Sequence, residues 1–390
     1  DAIAEIADIT FDTDNNIDVD AKISAGINTQ AVSAGGAGTG SFSASVAVNT
    51  MDSSILAQAS NAVLKTDDSI TFDAENKTSL DVITGAAAVA GTAAIGASIS
   101  VNDVAGSAKA LATSTNFTAG SLSFDAYSDA DMSAKAAAGT FATTLAINAA
   151  FSRNDLKTEV LSSSTGGSIN ATGDVNFTTQ NLGSNDALLV SVAAAKGALG
   201  ASVAIANNEA VLFAGMNGTN ITNAANITVK SDDKSTINAK GYGVAAGGIG
   251  ASGVIIEAKN SAQIFAIIEG ASDITSTGNL LVNATTDSKI ETDQIAVGAG
   301  FAGAGMAVST AENETKVKAH IRGSGNVEAN NVSVITFDKA GIISDGYAIS
   351  ATGTGGAGTD ITARNSADVD SSIDFGRGLT LAGNVDVTAD

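Results

Sequence analysis

The sequence predicts an all-β chain: a parallel β-solenoid (β-helix) of right-handed coil, built from repeats of about 53 residues. Three in-register ladders and a period-2 pattern carry that expectation. The first ladder is a phrase of an apolar residue, any residue, then Phe or Val: Ile9/Phe11, Ile70/Phe72, Leu122/Phe124, Val175/Phe177, Ile227/Val229, Leu280/Val282, Val332/Val334 and Val385/Val387. Its steps are 61, 52, 53, 52, 53, 52 and 53 residues. The second is Asn49, Asn102, Asn154, Asn208, Asn260, Asn313 and Asn365, at steps of 52 to 54. The third follows most phrases by ten residues: Val19, Leu80, Met132, Ile237, Ile290 and Ile342, with Asn185 interrupting it and Leu188 nearby. A period this tight means that one structural unit is stacked, so residues 1–390 read as a single elongated array.

Within one unit, Ser69–Ala74 and Ser79–Thr84 alternate apolar and polar residues, as half-buried strands do. From Ile83 to Asn102 both parities hold apolar or small residues, the pattern of strands covered on both sides. Gly91-Thr92 reads as a turn dividing that run. A further strand is expected around Ala108–Thr113 and a turn over Asn116–Gly120. Gly, Ser, Thr, Asn and β-branched residues oppose helix, and no capping box precedes a helical stripe. About 53 residues exceed one coil of a narrow solenoid, so two coils per repeat are expected rather than one wide coil. The 61-residue first step implies an insertion of roughly eight or nine residues in a loop, placed in Ser33–Ser41.

Composition agrees. The chain has no Cys, Pro or Trp, 13 Phe and 3 Tyr, yet 44% apolar residues, mostly Ala, Val and Ile. Such residues suit a thin core between strands. The 15% charged fraction argues against disorder. A formal charge of −22 without a Lys/Arg cluster opposes nucleic-acid binding and attraction to anionic lipid. The absence of Cys excludes disulfides and thiol chemistry. Uncharged runs such as Asp81–Asp103 are Ala, Gly, Ser and Thr, which read as buried strands and not as membrane spans. No basic-then-apolar leader follows Asp1, and an internal piece of a longer chain is expected.

Candidate chemistry is sparse. Asn at a fixed corner replaces a backbone turn and can hydrogen-bond along the axis, so the Asn ladder reads as structural, and Asn208→Ala is expected to lower thermal stability. The run Asp12, Asp14, Asp18, Asp20 offers the oxygens calcium favours, but it lacks the loop Gly and terminal Glu of a helix–loop–helix site. An acidic strand edge is the preferred reading, with calcium as the secondary one. Gly355–Asp360 matches the first six positions of a calcium β-roll nonapeptide, yet Thr362 replaces its apolar residue and no tandem copy follows. His320 is the sole histidine and sits in an alternating strand as an outward polar residue, which rules out a triad-based or multi-His reading. Asp129/Asp131 and Asp232/Asp233 occupy nearly homologous positions and read as solvated turns, not as paired catalytic carboxylates. No phosphate-cradling Gly-Lys-Ser/Thr motif occurs, and sequons such as Asn76-Lys-Thr are expected from composition.

Phrases such as Ile95-Gly96-Ala97-Ser98-Ile99-Ser100-Val101-Asn102, Gly200-Ala201-Ser202-Val203-Ala204-Ile205-Ala206-Asn207 and Gly278-Asn279-Leu280-Leu281-Val282-Asn283-Ala284 resemble passenger regions of giant bacterial surface proteins. Those are the filamentous-haemagglutinin-like adhesins, leukotoxin-like exoproteins and large autotransporters. The resemblance implies secretion, an extracellular cell-surface location, and display as a structural or adhesive stalk. The implied partners are a host or bacterial surface protein or glycan, with self-association of the chain as a further expectation. It supplies no catalytic residues and no cofactor. The other expectations weighed are a self-assembling filament or surface layer and a polysaccharide-acting solenoid enzyme.

Overall fold

The computed structural model describes every residue except 271, 324 and 377. Among the described residues 84% are in strands and none is in a helix. All pairings are parallel, in one 20-stranded and one 8-stranded sheet. The chain is a parallel β-solenoid, and the register shows how it is wound. Ser69 lies opposite Ser121, Ala93 opposite Leu145, and Asn116 opposite Ser168. Every part of the repeat therefore meets its own equivalent one repeat later. One repeat is one wide coil, and the expectation of two coils is corrected.

The coil is wide because it is flat. The second coil runs outward along Ser69–Ala90, turns at Gly91-Thr92, and returns along Ala93–Thr113. It is closed by a short side, Asn116–Ala119, where the sequence suggested only a turn. The two long strands face each other through side chains, so each coil is a drawn-out triangle whose short side forms the base. Outbound strands begin at Ile17, Ser69, Ser121, Val175, Ile227, Asn279 and Asn331. These define coils 1 to 7. At about 4.8 Å per coil the stack is about 34 Å long.

The register also corrects the first phrase. Ile17/Val19, not Ile9/Phe11, lie opposite Ile70/Phe72, while Phe11 belongs to the short side opposite Leu64. The first step is then 53 residues and no insertion exists. Ser33–Ala37 continue a strand paired with Ala86–Ala90. Likewise Ile27, not Val19, stands over Leu80. Leu188 faces outward beside Lys135, and Asn185 occupies the Met132–Ile237 column.

Three cores fill the coil from base to tip. The base core holds the phrase residues with the short-side Leu64, Phe117, Ile169, Ile221, Ile274 and Val327. Phe72, Phe124 and Phe177 stack face to face there at centroid separations of 4.7 and 5.0 Å, with Phe117 edge-on. A middle core contains Leu80, Met132 and Leu156, continued by Leu189, Ile237, Val254 and Ile290. The tip core is Ala alone: Ala88, Ala90 and Ala94, then Ala146, Ala193, Ala198 and Ala245. Small side chains let the walls approach, which closes the blade to a thin edge.

A corner that composition had hidden sets where the return strand ends. Asp8 (φ 53°), Asn61 (50°), Ser114 (48°), Gly166 (66°), Gly218 (63°) and Gly270 (82°) form one left-handed column, one residue per coil. The residue type drifts from Asp, Asn and Ser to Gly, while the conformation stays. An L side chain is disfavoured there and Gly is not. A Cβ at Gly218 would meet no atom within 4 Å, so only the backbone opposes it. Gly218→Ala should therefore cost about 1 kcal/mol, and Ser114→Gly should gain up to about 1 kcal/mol. Chemical denaturation of both variants checks this, and equal effects of one sign would refute the corner assignment.

Candidate functional surface

Polar side chains inside a solenoid must find partners within the stack. The Asn ladder does so in two pieces. Asn49 Nδ2 donates to Asn102 Oδ1 (2.8 Å), and Asn102 Nδ2 donates to Asn154 Oδ1 (2.8 Å) and Ser100 Oγ (2.9 Å). Asn154 then turns away and donates to the Asp186 carbonyl at 3.0 Å. Opposite Asn154 in the next coil stands Ala206, while Asn208 lies over Leu156. The ladder has moved two residues, one step along the same inner face, which is what the 54-residue interval records. Asn185 splices the two pieces: its Nδ2 donates to the carbonyls of Asn207 (2.9 Å) and Asn154 (3.4 Å). Beyond the splice, Asn260 donates to Asn313 (3.0 Å) and Asn313 to Asn365 (2.9 Å).

Asn208 is fully buried and neither side-chain atom has a hydrogen-bond partner among the described residues. Its removal deletes a desolvated amide that makes no bond, whereas removal of Asn102 orphans polar atoms of Asn49 and Asn154. The Asn208→Ala expectation is revised on this ground. Asn102→Ala should cost about 2 kcal/mol or more and Asn208→Ala less than about 1 kcal/mol. Thermal and urea unfolding of the two variants side by side checks the order, and a costlier Asn208→Ala would refute it.

A second inward polar column separates the base and middle cores: Asn76, Ser128, Asn181, Asp233, Thr286 and Asp338. Asp233 is completely buried, accepting from Asn181 Nδ2 (2.7 Å), Ser235 Oγ (2.9 Å) and Thr286 Oγ1 (3.4 Å). Burial pushes its carboxyl above the ordinary value, with those donors opposing the shift. Burial raises Asp338 in the same way. An acid whose pKa is higher folded than unfolded binds more protons in the native state. Its stabilising contribution is present below the unfolded value near 3.8 and is lost as pH rises through the folded value. Asp233→Asn, a neutral isostere, should raise the melting temperature at pH 7 and change it little near pH 3. Scans across that range check the prediction, and a pH-independent effect would sink it.

The remaining candidates lie on the outer faces and are not gathered into a centre. Asp12 is on the short-side strand Thr10–Thr13, Asp14 in the bend after it, and Asp18 and Asp20 on the outer face of Ile17–Ala37; all four are exposed. Among the described residues no group of three or more acidic or His side chains is placed to hold a metal. Asp20 instead lies opposite Asp73, which pairs with Lys22 Nζ at 2.7 Å. Gly355–Asp360 lie inside the strand Gly341–Asn365, not in a loop. His320 points away from the base core but is covered by neighbouring coils, 2% exposed, with Nδ1 2.7 Å from Ser372 Oγ. Burial and the nearby Arg322 hold its pKa below the ordinary value.

The paired aspartates are not equivalent. Asp232 lies opposite Gln180, and Gln180 opposite Tyr127, so Asp129 and Asp131 fall further along the strand. Lys234 (3.0 Å), Lys230 (3.6 Å) and Thr285 (2.9 Å) engage Asp232, while Ser184 Oγ donates to Asp131 at 2.5 Å. Tyr127 donates to Asp129 Oδ2 at 3.2 Å, and burial pushes its hydroxyl up to about 12.

Among the open grooves of the outer faces, two contrast in character. One, about 550 Å³ on the outbound wall, is polar, with Ser133, Lys135, Asp186, Asn238, Lys240 and Glu291. Glu291 is held below its usual range by Lys289 and Lys240. The other, about 510 Å³ on the return wall, is apolar, with Ile147, Ala149, Leu199, Ala201 and Met306. No helix is long and apolar enough to cross a membrane among the described residues. Protein-family models, curated proteins and solved structures give no match to this chain.

Proposed function

We propose that the chain is a structural and adhesive rod of a large secreted bacterial protein, displayed at the cell surface. The observation that supports this reading most is the one-coil register, which holds from end to end of the described stack. A rod of that kind repeats its inner face and leaves its outer residues free to vary from coil to coil. On the outbound wall that variation assembles Lys135, Asp186, Asn238 and Lys240 in one groove. Hydrogen-bonding and mixed-charge groups of this type suit a surface glycan or an exposed peptide of another cell. A self-assembling filament or surface layer is the second reading, favoured by the apolar return wall. A polysaccharide-acting enzyme is disfavoured by the ion pairs and hydrogen bonds that engage the aspartate pairs.

Attachment is directly measurable. Beads coated with the purified chain should be retained on cell layers or immobilised glycans, and Lys135→Ala with Asn238→Ala should lower retention severalfold while the circular-dichroism spectrum stays that of the folded parent. Retention no greater than that of an equally acidic control protein would refute the adhesive reading. Glycan turnover abolished by a single carboxylate substitution would replace it with the enzyme.

A further inference from the structure

The return wall near the tip presents larger side chains to solvent than to the interior. Its inward residues in coil 2 are Ala94, Gly96, Ser98 and Ser100, whereas Ile95, Ala97, Ile99 and Val101 point outward. The same parity places Phe42, Val46 and Val48 outward in coil 1, at 68%, 58% and 69% exposure. A strand with apolar residues on both faces is ordinarily covered on both. Here the chain itself covers only one.

Register turns these residues into columns along the rod. One ridge is Phe42, Ile95, Ile147, Leu199, Ala251, Ala304. A second is Val46, Ile99, Phe151, Val203, Ile255, Val308. Between them runs a furrow of Ala44, Ala97, Ala149, Ala201 and Gly253, closed at coil 6 by Met306, 51% exposed. The furrow is the apolar groove already described. No charged residue lies in Gly40–Ala47 or in its equivalents through coil 6, and the rim position of Val48 is charged only in coils 3 and 5, as Arg153 and Glu257. Nine residues by six coils make a face of about 30 Å by about 30 Å. A stable interface needs about 800 Å² per partner, and uncovered apolar patches of this size mark interaction sites. The outbound wall is a poorer candidate, because Lys135, Lys240, Asp293 and Asp345 occupy one of its columns.

We infer that the return wall is the interface of an antiparallel dimer, with a second copy of this chain as the occupant. Two arguments select a copy and its orientation. At a net charge of −22, two chains repel over most of their surfaces, and the tip half of this wall is a broad area whose only charges through coil 6 are Arg153 and Glu257 at its rim. The first ridge also tapers. Large residues fill the first ridge in coils 1 to 4 and Ala in coils 5 and 6. A two-fold axis along the strands through coil 4 sets coil 3 against coil 5 and coil 2 against coil 6. Ile147 then meets Ala251, Ile95 meets Ala304, and Met306 enters the hollow at Ala97 of the second copy. On the rim column Val48, Val101, Arg153, Ile205, Glu257, Thr310, the same axis brings Arg153 to Glu257 of the second copy, twice. Arg153 is half exposed and also pairs with Asp155 of its own strand at 2.7 Å. A two-fold axis along the rod would instead press Ile147 against Phe151 and leave Arg153 against Leu145. The interface is isologous, so it closes on two chains. The inference does not depend on the adhesive reading, since any rod with this wall would pair.

Sedimentation equilibrium of the intact chain at micromolar concentration tests it. The expected mass is twice 38.2 kDa, with association strengthened by salt as repulsion is screened. Leu199→Glu, which places two carboxylates near the axis, should weaken pairing at least about a hundredfold. Its melting temperature, extrapolated to low concentration, should match that of the parent. Arg153→Glu should weaken pairing, and Arg153→Glu with Glu257→Arg should restore it. A monomer at all concentrations would overturn the proposal, as would a dimer indifferent to Leu199→Glu. A double charge swap that fails to rescue would overturn the antiparallel register. A monomeric chain that co-floats with neutral phosphatidylcholine vesicles would assign the wall to lipid instead.

Discussion

Axial stacking of each residue on its own equivalent is the constraint from which the rest follows. With one coil per repeat, the strand N–H and C=O groups of an interior coil pair with the coils above and below it, so the walls close without helices. The same constraint fixes side chains. A Phe in the base core is stacked on Phe, an Asn on Asn, and a left-handed corner on another left-handed corner. Substituting one member therefore disturbs two neighbours, and energies along a column are coupled more strongly than those across it. This is why Phe72, Phe124 and Phe177 give way together to Val229, Val282 and Val334.

Where a column cannot be kept, the chain repairs it locally. Between Asn154 and Asn208 the amide ladder moves one position along the inner face toward the base, and Asn185 takes a core site that other coils give to Leu80, Met132 or Ile237. The cost is visible at Asn208, whose amide is buried without a partner. Nearby, Asp233 brings a carboxyl into a column otherwise made of neutral groups and one further acid, Asp338. Its donors satisfy hydrogen bonding, yet burial still favours the protonated form. Both features lie on the inner face and concern stability.

The architecture was legible in the sequence because stacking writes a period into every wall. Seven phrases from Ile70/Phe72 to Val385/Val387 were in true register, and parity identified the long strands. What misled was the first copy. Ile9/Phe11 has the same apolar spelling as the phrase but belongs to the short side, and residue type alone cannot separate two apolar columns eight residues apart. That slip produced a false insertion. The left-handed corner was missed for the opposite reason: its conformation is constant while its residue changes from Asp8 to Gly270, so only the spacing could have revealed it. The number of coils per repeat turned on how thin the blade is. The Ala-only tip core, which lets opposing walls approach, was spelled out in Ala88, Ala94, Ala146 and Ala198.

The two-faced apolar pattern from Ile83 to Val101 is the point at which sequence and structure differ most usefully. The pattern implies cover on both sides, but the fold supplies only the inner cover, made of Ala, Ser and Thr. Packing alone would have placed Ile95, Ile99 and Val101 inside and the small residues outside. The inner face cannot take them, because larger side chains would force the walls apart at the tip. That accounts for small residues inside and leaves large ones outside unexplained, since Ser, Thr or Lys would serve solubility better on a free wall. Retaining Phe42, Ile147, Leu199 and Phe151 on a highly acidic chain, with size falling along the Phe42 ridge and Arg153 and Glu257 spaced symmetrically about Ile205, is economical only if that wall meets a surface shaped like itself.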